Sequence, residues 1–266
     1  MEEKFFDLED ISKEFPAKEG SLKVLEAINI SVKEHEFISI MGPSGCGKSI
    51  LLKIAAGLIT PSSGGVFFEQ QRFEKGFPKD KMRNFGFVFQ RDNLFPWRSC
   101  EANLKLSLEV MRLKGPVWKE RVDEMLNLVG LSDYRKIFPH EMSGGMRQRA
   151  GIARALVHDP KILIMDQPFG ALDVITRKML AYELLNIWKT TQKTVLFVTN
   201  AADEALLLSN RIFFLSPKPS GIVYEYKVKI PTVDRNPQML ENPAYLSMLE
   251  TIDDIVRNTD AKEGAQ

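Results

Sequence analysis

Eight residues in the first fifth of the chain have the types and the spacing of a phosphate-binding loop. The loop follows an apolar stretch and consists of Gly42, Pro43, Ser44, Gly45, Cys46, Gly47, Lys48 and Ser49. Its glycines let the backbone curl so that successive N–H groups point inward at an anion. Lys48 supplies a positive charge for the β and γ phosphates, and Ser49 supplies a hydroxyl for Mg²⁺. Because a helix beginning at Lys48 would also turn its positive end toward the phosphates, the pattern predicts a site for a nucleoside triphosphate.

A carboxylate and a second glycine turn supply further chemistry. Asp166 ends an apolar run, so its carboxylate is expected at the carboxyl edge of a parallel strand, where open α/β sheets bind ligands. At that edge the carboxylate of Asp166 could hold Mg²⁺; the alternative is that Asp166 caps a helix. Ser143, Gly144 and Gly145 lead into a predicted helix, whose N-terminus is a second candidate anion site. The alternative for these three residues is an ordinary turn.

The elements that must position these residues are of α/β type. Residues 4–40 alternate apolar and polar side chains, which predicts an antiparallel strand layer, whereas the continuous apolar runs 161–165 and 195–199 predict buried parallel strands. A helix is expected at about 48–56, directly after the phosphate loop, and helical periodicity is found at 101–113, 119–129, 147–158, 176–190 and 202–209. The predicted fold class is therefore α/β, with a parallel sheet, an antiparallel β layer and a helical subdomain at about 91–145.

The chain changes character after its first four fifths. Short segments are divided there by Pro217, Pro219, Pro231 and Pro237. We predict a main domain at 1–215 and a C-terminal appendage at 216–266, which closes with a helix near 243–258.

The composition is that of an ordinary globular protein. Of its 266 residues, 44% are hydrophobic and 27% are charged, and the formal net charge is +1. That balance gives no electrostatic reason to expect a nucleic-acid partner. The two cysteines, one of them inside the phosphate loop, favour a reducing compartment. The sequence shows neither an apolar signal core at the amino terminus nor a run of about 18 apolar residues, so we expect a soluble chain whose membrane role comes through partners.

Taken together, these motifs resemble those of the ATP-binding subunit of an ABC transporter, which has a P-loop NTPase fold. The resemblance covers most of the chain and rests on the loop 42–49, Gln90, the signature stretch 143–148, the strand ending in Asp166 and the stretch 170–173. It implies ATP and Mg²⁺ as cofactors. It also implies that two cassettes pair head to tail, so that each ATP lies between one subunit's phosphate loop and the other subunit's signature turn.

The resemblance assigns roles to further residues. It implies that Gln90 joins Ser49 and Asp166 as a ligand of Mg²⁺ and that Gln90 links the ion to the membrane subunit. It also implies that Asp173 makes a contact across the dimer and that Phe15 lies against adenine. The alternative for Phe15 is an ordinary aromatic residue of the strand layer. The implied partners are a second cassette, transmembrane permease subunits and, indirectly, a solute-binding protein. The implied location is the cytoplasmic face of a bacterial inner membrane.

Three segments carry a closer resemblance to the importers of nitrate, sulfonates and taurine. These segments are 93–98, 146–149 and 204–208. The resemblance implies a small anion as the transported solute. In the first segment, Leu94, Phe95 and Trp97 form an apolar cluster that would suit a short helix of a membrane subunit; the alternative is that they fill the core of the helical subdomain.

Four positions depart from the family pattern, and they concern ATP hydrolysis. Gln167, which directly follows Asp166, stands at a catalytic position where the family has the Glu that polarises the attacking water. The amide of Gln167 cannot accept the proton of that water. Asn200 and Ala201 stand where the family has a His and an Asp, and Ile50 replaces a Thr hydroxyl beside the phosphate loop. Loss of a general base costs about 10²- to 10⁴-fold in rate. We therefore predict that ATP binding survives and that hydrolysis at this chain's own site is slow.

The sequence leaves the partner and the class of function open. The intact signature stretch favours a heterodimer, in which it completes the site of a partner cassette that has its own Glu and His. The alternative is a homodimer that hydrolyses ATP slowly. A second class of function is a soluble ABC-type regulator that uses nucleotide occupancy as a switch without transport.

Overall fold

The predicted strands and helices follow one another in the predicted order, and the structure adds further strands between them. The computed structural model describes residues 5–18, 20–113 and 117–261. The strands are β1 (Phe6–Pro16), β2 (Ser21–Val32), β3 (Phe37–Met41), β4 (Ser63–Phe68), β5 (Gln71–Phe73), β6 (Phe85–Val88), β7 (Ile162–Asp166), β8 (Thr194–Val198), β9 (Arg211–Leu215) and β10 (Ile222–Lys227). The α-helices are α1 (Lys48–Ala55), α2 (Lys79–Met82), α3 (Cys100–Val110), α4 (Val117–Leu128), α5 (Gly144–Leu156), α6 (Val174–Thr191), α7 (Ala202–Leu208) and α8 (Pro243–Ala261). The chain divides into two units, one formed by 1–78 with 194–266 and the other by 79–193.

The first unit contains two kinds of strand pairing. The strands β2, β1, β4 and β5 lie side by side in that order and run antiparallel, with Phe6 of β1 opposite Val32 of β2 and Phe68 of β4. In the other arrangement β3 runs parallel to both β8 and β9, and β10 pairs antiparallel with β9. Every residue of β3 and β8 is buried, as is typical of parallel strands covered on both faces.

The antiparallel layer is confirmed, but it does not include the last residues of the range 4–40. Residues 37–41 form β3, which pairs with β8 and β9 instead of with β1 or β2. The physical reason is that four of these five residues are apolar and lie on both faces of the strand, which suits a strand buried on both faces.

The second unit is mostly helical. Its strands β6 and β7 are parallel, with Phe85 opposite Ile162 and Val88 opposite Met165. The helices α3, α4 and α5 pack against one another. The predicted helices α3 to α6 are confirmed, although α5 begins at Gly144, three residues before the predicted start, because the side chain of Ser143 caps it. The predicted helical subdomain lies within this unit, and its limits stay a prediction.

The C-terminal residues complete the first unit. β10 pairs with β9, and α8 packs against α7. The buried cluster between them includes Met41, Leu206, Phe214, Tyr245 and Ile252. The division of the chain at residue 215 stays a prediction. Across the part of the chain that the structure describes, no helix is both long enough and apolar enough to cross a membrane.

Candidate functional site

The phosphate loop is the turn that joins β3 to α1. Gly47 caps α1 in the left-handed conformation, with a φ of 111°. A Cβ atom at this position would lie 2.8 Å from Cγ1 of Val24. Glycine meets both requirements, because it tolerates positive φ and has no Cβ. Within the described helix α1, the first turn carries no acidic side chain, so its positive end favours an anion.

The charged side chain of the loop lies against the loop's own backbone. Lys48 is 4% exposed, and its Nζ donates to the carbonyl oxygens of Gly42 at 2.6 Å and Pro43 at 2.7 Å. Burial raises the pKa of the Cys46 thiol, so this thiol is neutral at pH 7. The carbonyl oxygen of Cys46 accepts a hydrogen bond from Ser220 Oγ. Hydrogen bonds from Lys48, within the loop, and from Ser220, far along the chain, therefore stabilise the backbone of the loop.

The remaining loop residues differ in exposure. Ser44 and Gly45 are exposed at the tip of the loop, whereas Ser49 and Ile50 are half-buried in the first turn of α1. The hydroxyl predicted to serve Mg²⁺ thus lies on the helix that begins at the loop.

The tertiary structure brings Asn200 to the edge where the phosphate loop begins. Ile40 of β3 pairs with Val198 of β8, and the backbone N–H of Thr199 donates to the carbonyl oxygen of Ile40 at 3.4 Å. Gly42 and Asn200 each follow this pair by two residues. Since the strands are parallel, both residues leave the sheet at its carboxyl edge, where α/β proteins bind ligands. The side chain of Asn200 is exposed.

A buried polar pair holds the residues on either side of Asn200. Thr199 Oγ1 donates to Glu204 Oε2 and accepts from the backbone N–H of Ala201 at 3.0 Å. Glu204 is 5% exposed and Thr199 is 3% exposed. Sequence reasoning missed this pair. One sequence signal could have indicated it: Glu204 is an acidic residue within an otherwise mostly apolar helix, and it comes five residues after Thr199, which directly follows β8.

Phe15 lies near the end of β1 and is half-buried. The ammonium of Lys13 lies 5.1 Å from the centroid of its ring, and Lys13 Nζ donates to the carbonyl oxygen of Thr60 at 2.7 Å. The Phe15 ring therefore makes a cation–π contact with Lys13. A role for Phe15 beside adenine stays a prediction.

The second unit places three predicted residues at the ends of its two parallel strands. Asp166 is the last residue of β7 and is 8% exposed. Because Val88 pairs with Met165, Gln90 and Gln167 each follow the same pair by two residues. The carboxyl edge of this strand pair therefore carries a buried carboxylate and two amide side chains.

A tight turn follows the strand. Gln167 has a positive φ of 45°, and its carbonyl oxygen accepts from the N–H of Gly170 at 3.1 Å. Asp173 then caps α6, with Oδ1 accepting from the N–H groups of Ile175 at 3.1 Å and Thr176 at 3.0 Å. Hydrogen bonds from Thr176 lower the pKa of the Asp173 carboxyl, because they favour its ionised form. The observed contacts of Asp173 are those of a helix cap.

The signature residues form the N-terminus of α5. Ser143 Oγ accepts from the backbone N–H of Met146 at 3.2 Å, so Ser143 is the N-cap. Arg147 ties this helix end down, because its Nε lies 3.1 Å from Asp92 Oδ2 and its guanidinium donates to the carbonyl oxygen of Met142 at 2.7 Å. Gly144 and Gly145 are half-buried in the first turn. Asp92 is a supporting residue that no local sequence pattern indicated.

The apolar cluster after Gln90 divides between the two alternatives. Leu94 is 7% exposed and belongs to the core, whereas Trp97 is 70% exposed. The rings of Phe95 and Trp97 meet edge to face at 5.1 Å. A role for the exposed ring of Trp97 in contacting a membrane subunit stays a prediction.

Comparison with known proteins places these features in a family. The family model described as ABC transporter matches residues 25–170. The aliphatic sulfonates import ATP-binding protein SsuB of Bacillus anthracis is 45% identical over 81% of this chain and 82% of its own. The nitrate import ATP-binding protein NrtD of Synechococcus elongatus is 39% identical over 95% of this chain and 92% of its own.

A solved structure shares the fold. It is the dimeric structure of a post-hydrolysis state of the ATP-binding cassette MJ0796 bound to ADP and Pi, with a TM-score of 0.73 and 31% sequence identity. The match covers 85% of this chain and 100% of that one.

Proposed function

The chain belongs to the ABC transporter family of ATP-binding proteins, and from this premise we propose that it is the ATP-binding subunit that powers an importer of a small oxyanion. The observation that carries the proposal is the phosphate loop: a glycine-rich turn after a buried parallel strand, a helix N-terminus capped by Gly47, and an enclosed Lys48. Such a loop binds phosphates through backbone N–H groups and one ammonium.

The residues predicted to bind Mg²⁺ carry oxygen atoms of kinds that this ion accepts as ligands. Magnesium in ATPases is held by one or two carboxylates and by phosphate oxygens, with water in the remaining positions. Among the predicted ligands, Asp166 is a buried carboxylate at a strand end, whereas Ser49 would offer a hydroxyl oxygen and Gln90 an amide oxygen. When bound, the ion would neutralise charge on the β and γ phosphates. Phe15 would contact the adenine ring.

Hydrolysis at this chain's own site is expected to be slow. Gln167 can orient a water molecule but cannot take its proton, and Asn200 can donate a hydrogen bond but cannot become cationic. In contrast, the capped helix at Ser143, Gly144 and Gly145 is formed, with Arg147 anchoring it. We therefore favour pairing with a second cassette whose site this signature turn and Asp173 complete. The dimeric state of MJ0796 supports pairing in general.

The relatives suggest the class of solute. The two relatives reported above are named as import proteins for aliphatic sulfonates and for nitrate, both of which are small oxyanions. Neither name points to the alternative of a soluble regulator. The proposed partners are transmembrane permease subunits and, through them, a solute-binding protein, and the proposed location is the cytoplasmic face of the membrane.

Two measurements test this function. The first is uptake of labelled nitrate and of labelled alkanesulfonate by cells that carry the chain or its Lys48→Ala variant. Loss of uptake of either anion in the variant supports the proposal, and unchanged uptake of both contradicts the importer role. The second is ATPase activity of the purified chain alone and mixed with a cassette that keeps the catalytic Glu and His. A rise on mixing supports the heterodimer, whereas fast hydrolysis by the chain alone contradicts the slow site.

A further inference from the structure

The short helix α7, which follows Asn200, is held at both ends by the C-terminal part of the chain. We propose that Arg235 and Tyr245 are positioning residues that, through α7, fix Asn200 in the place where it meets the γ-phosphate of ATP. This inference rests on the proposed function, because it requires that the phosphate loop binds ATP.

Arg235 holds the C-terminal end of α7. It is 2% exposed, and one guanidinium nitrogen donates to the carbonyl oxygen of Leu207 at 3.0 Å. Its Nε and its other terminal nitrogen donate to the carbonyl oxygen of Ile230, at 3.1 and 2.7 Å. The last carbonyls of a helix lack partners within the helix and carry partial negative charge. A buried guanidinium bonded to Leu207 therefore satisfies one of these carbonyls and joins this end of α7 to the segment after β10.

Tyr245 holds the N-terminal half of α7. It is 1% exposed, and its hydroxyl donates to the carbonyl oxygen of Asp203 at 3.4 Å. Its ring belongs to the buried cluster that contains Ala205 and Leu206 of α7 and Met248 of α8. Burial of such side chains supplies most of the free energy that fixes a helix in place.

The contacts of α7 continue into the loop that carries Asn200. Glu204 of α7 accepts a hydrogen bond from Thr199, and Thr199 accepts one from Ala201. Asn200 is thus an exposed residue between two anchored neighbours. An isolated helix of seven residues is not stable in water, so the position of α7 depends on its tertiary contacts. Loosening Arg235 or Tyr245 is therefore expected to loosen Asn200.

Comparing two nucleotides tests this role. ADP lacks the γ-phosphate, so a change that acts through Asn200 weakens binding of Mg²⁺ with the non-hydrolysable analogue AMP-PNP and leaves Mg-ADP binding unchanged. For the full-length chain with Arg235→Met, we expect calorimetry to show about 3- to 10-fold weaker AMP-PNP binding, which corresponds to the loss of about one hydrogen bond. Arg235→Lys, which keeps the charge but has one donor nitrogen instead of three, is expected to fall between this variant and the wild type. Tyr245→Phe, which removes a single oxygen atom, should give a smaller loss of the same kind.

The Asn200→Ala background separates positioning from general destabilisation. In that background neither Arg235→Met nor Tyr245→Phe should weaken AMP-PNP binding further, because the side chain that they position is gone. The matched control is Val66→Ala, a buried change in β4 of the antiparallel sheet, which should leave the ratio of the two affinities unchanged.

Two results would overturn the proposal. One is an equal loss for both nucleotides in the Arg235 and Tyr245 variants, and the other is a loss that persists in the Asn200→Ala background. If Arg235→Met does not fold, Tyr245→Phe and Arg235→Lys decide by the same ratio. A wild-type chain that binds neither nucleotide would instead contradict the proposed function itself.

Discussion

Lys48 donates a hydrogen bond of 2.7 Å to the carbonyl oxygen of Pro43, five residues earlier in the same loop. A second bond of 2.6 Å goes to Gly42. The Lys48 side chain is 4% exposed, and its ammonium is hydrogen-bonded to the backbone of the loop. The same ammonium and the same loop are predicted to bind phosphate together. A triphosphate would replace a neutral carbonyl partner by a charged oxygen, and hydrogen bonds between charged groups are the stronger kind.

The first prediction concerns this lysine. Lys48→Ala removes the one ammonium of the loop, and we expect Mg-ATP affinity to fall by at least about 10-fold, since hydrogen bonds to charged groups contribute about 1.5–3 kcal/mol. Isothermal calorimetry measures the change. Lys53→Ala, in the last turn of the same helix, is the matched control and should bind ATP as the wild type does. Equal affinity for the Lys48 variant and the wild type would contradict the assignment of the loop.

The second prediction uses two glycines with positive φ. Gly45 has a φ of 76° and a Cβ atom there would have nothing within 4 Å, whereas at Gly47 it would meet Val24 and Leu25 at 2.8 and 3.0 Å. Gly45→Ala should therefore cost about 1–2 kcal/mol through backbone strain alone. Gly47→Ala should cost about 1–3 kcal/mol more, through overpacking against two buried side chains. Urea unfolding measures the free energy of unfolding of both variants. Equal unfolding midpoints for the two variants would show that the contact of a Cβ atom at position 47 with Val24 and Leu25 does not lower stability.

The third prediction concerns hydrolysis. Gln167→Glu restores a group that accepts a proton in a side chain of nearly the same size. We expect the ATPase rate of the purified chain alone, to which no intact partner site contributes, to rise by up to about 10²- to 10⁴-fold. Steady-state phosphate release measures it. Gln192→Glu is a matched control, because Gln192 also has a positive φ, 49°, at the C-terminal end of α6. If the rate of the Gln167 variant did not exceed that of this control, slow hydrolysis could not be attributed to the missing base.

The fourth prediction concerns pH and stability. Burial lowers the pKa of His158 below its ordinary value of 6.5. Its Nε2 lies 3.2 Å from the carbonyl oxygen of Phe85, so Nε2 carries the proton in the neutral ring. A second proton would have to bind at Nδ1, which is buried without a hydrogen-bond partner among the described residues. The folded state therefore resists protonation.

The sign of the effect follows from linkage. Below pH 6.5 the unfolded chain takes up a proton at this position while the folded chain does not, so the free energy of unfolding falls as the pH falls from 6.5 toward the lower pKa of the folded state. We expect His158→Gln, whose amide can still donate to Phe85, to lose less stability than the wild type between about pH 7.5 and pH 5.5. Urea midpoints at the two pH values measure this. Identical losses in the two proteins would show that His158 does not contribute.

Local patterns were sufficient for much of the site. The phosphate loop, the helix that begins at Lys48 and the position of Asp166 at a strand end could all be predicted, because each depends on residues that are neighbours in the chain. The capping role of Ser143 belongs with these, since a cap and the N–H group it accepts from are three residues apart.

Contacts between distant segments were decided by the tertiary structure alone. The pairing of β3 with β8, which brings Asn200 to the edge where the phosphate loop begins, depends on hydrogen bonds between strands from opposite ends of the chain. The same holds for Arg235 and Leu207, and for Asp92 and Arg147. The phosphate loop could be predicted from local sequence, because its glycines, Lys48 and Ser49 are neighbours in one short segment. Which residues surround and support that loop depends on which strands become neighbours, and many strand orders are compatible with the same local pattern.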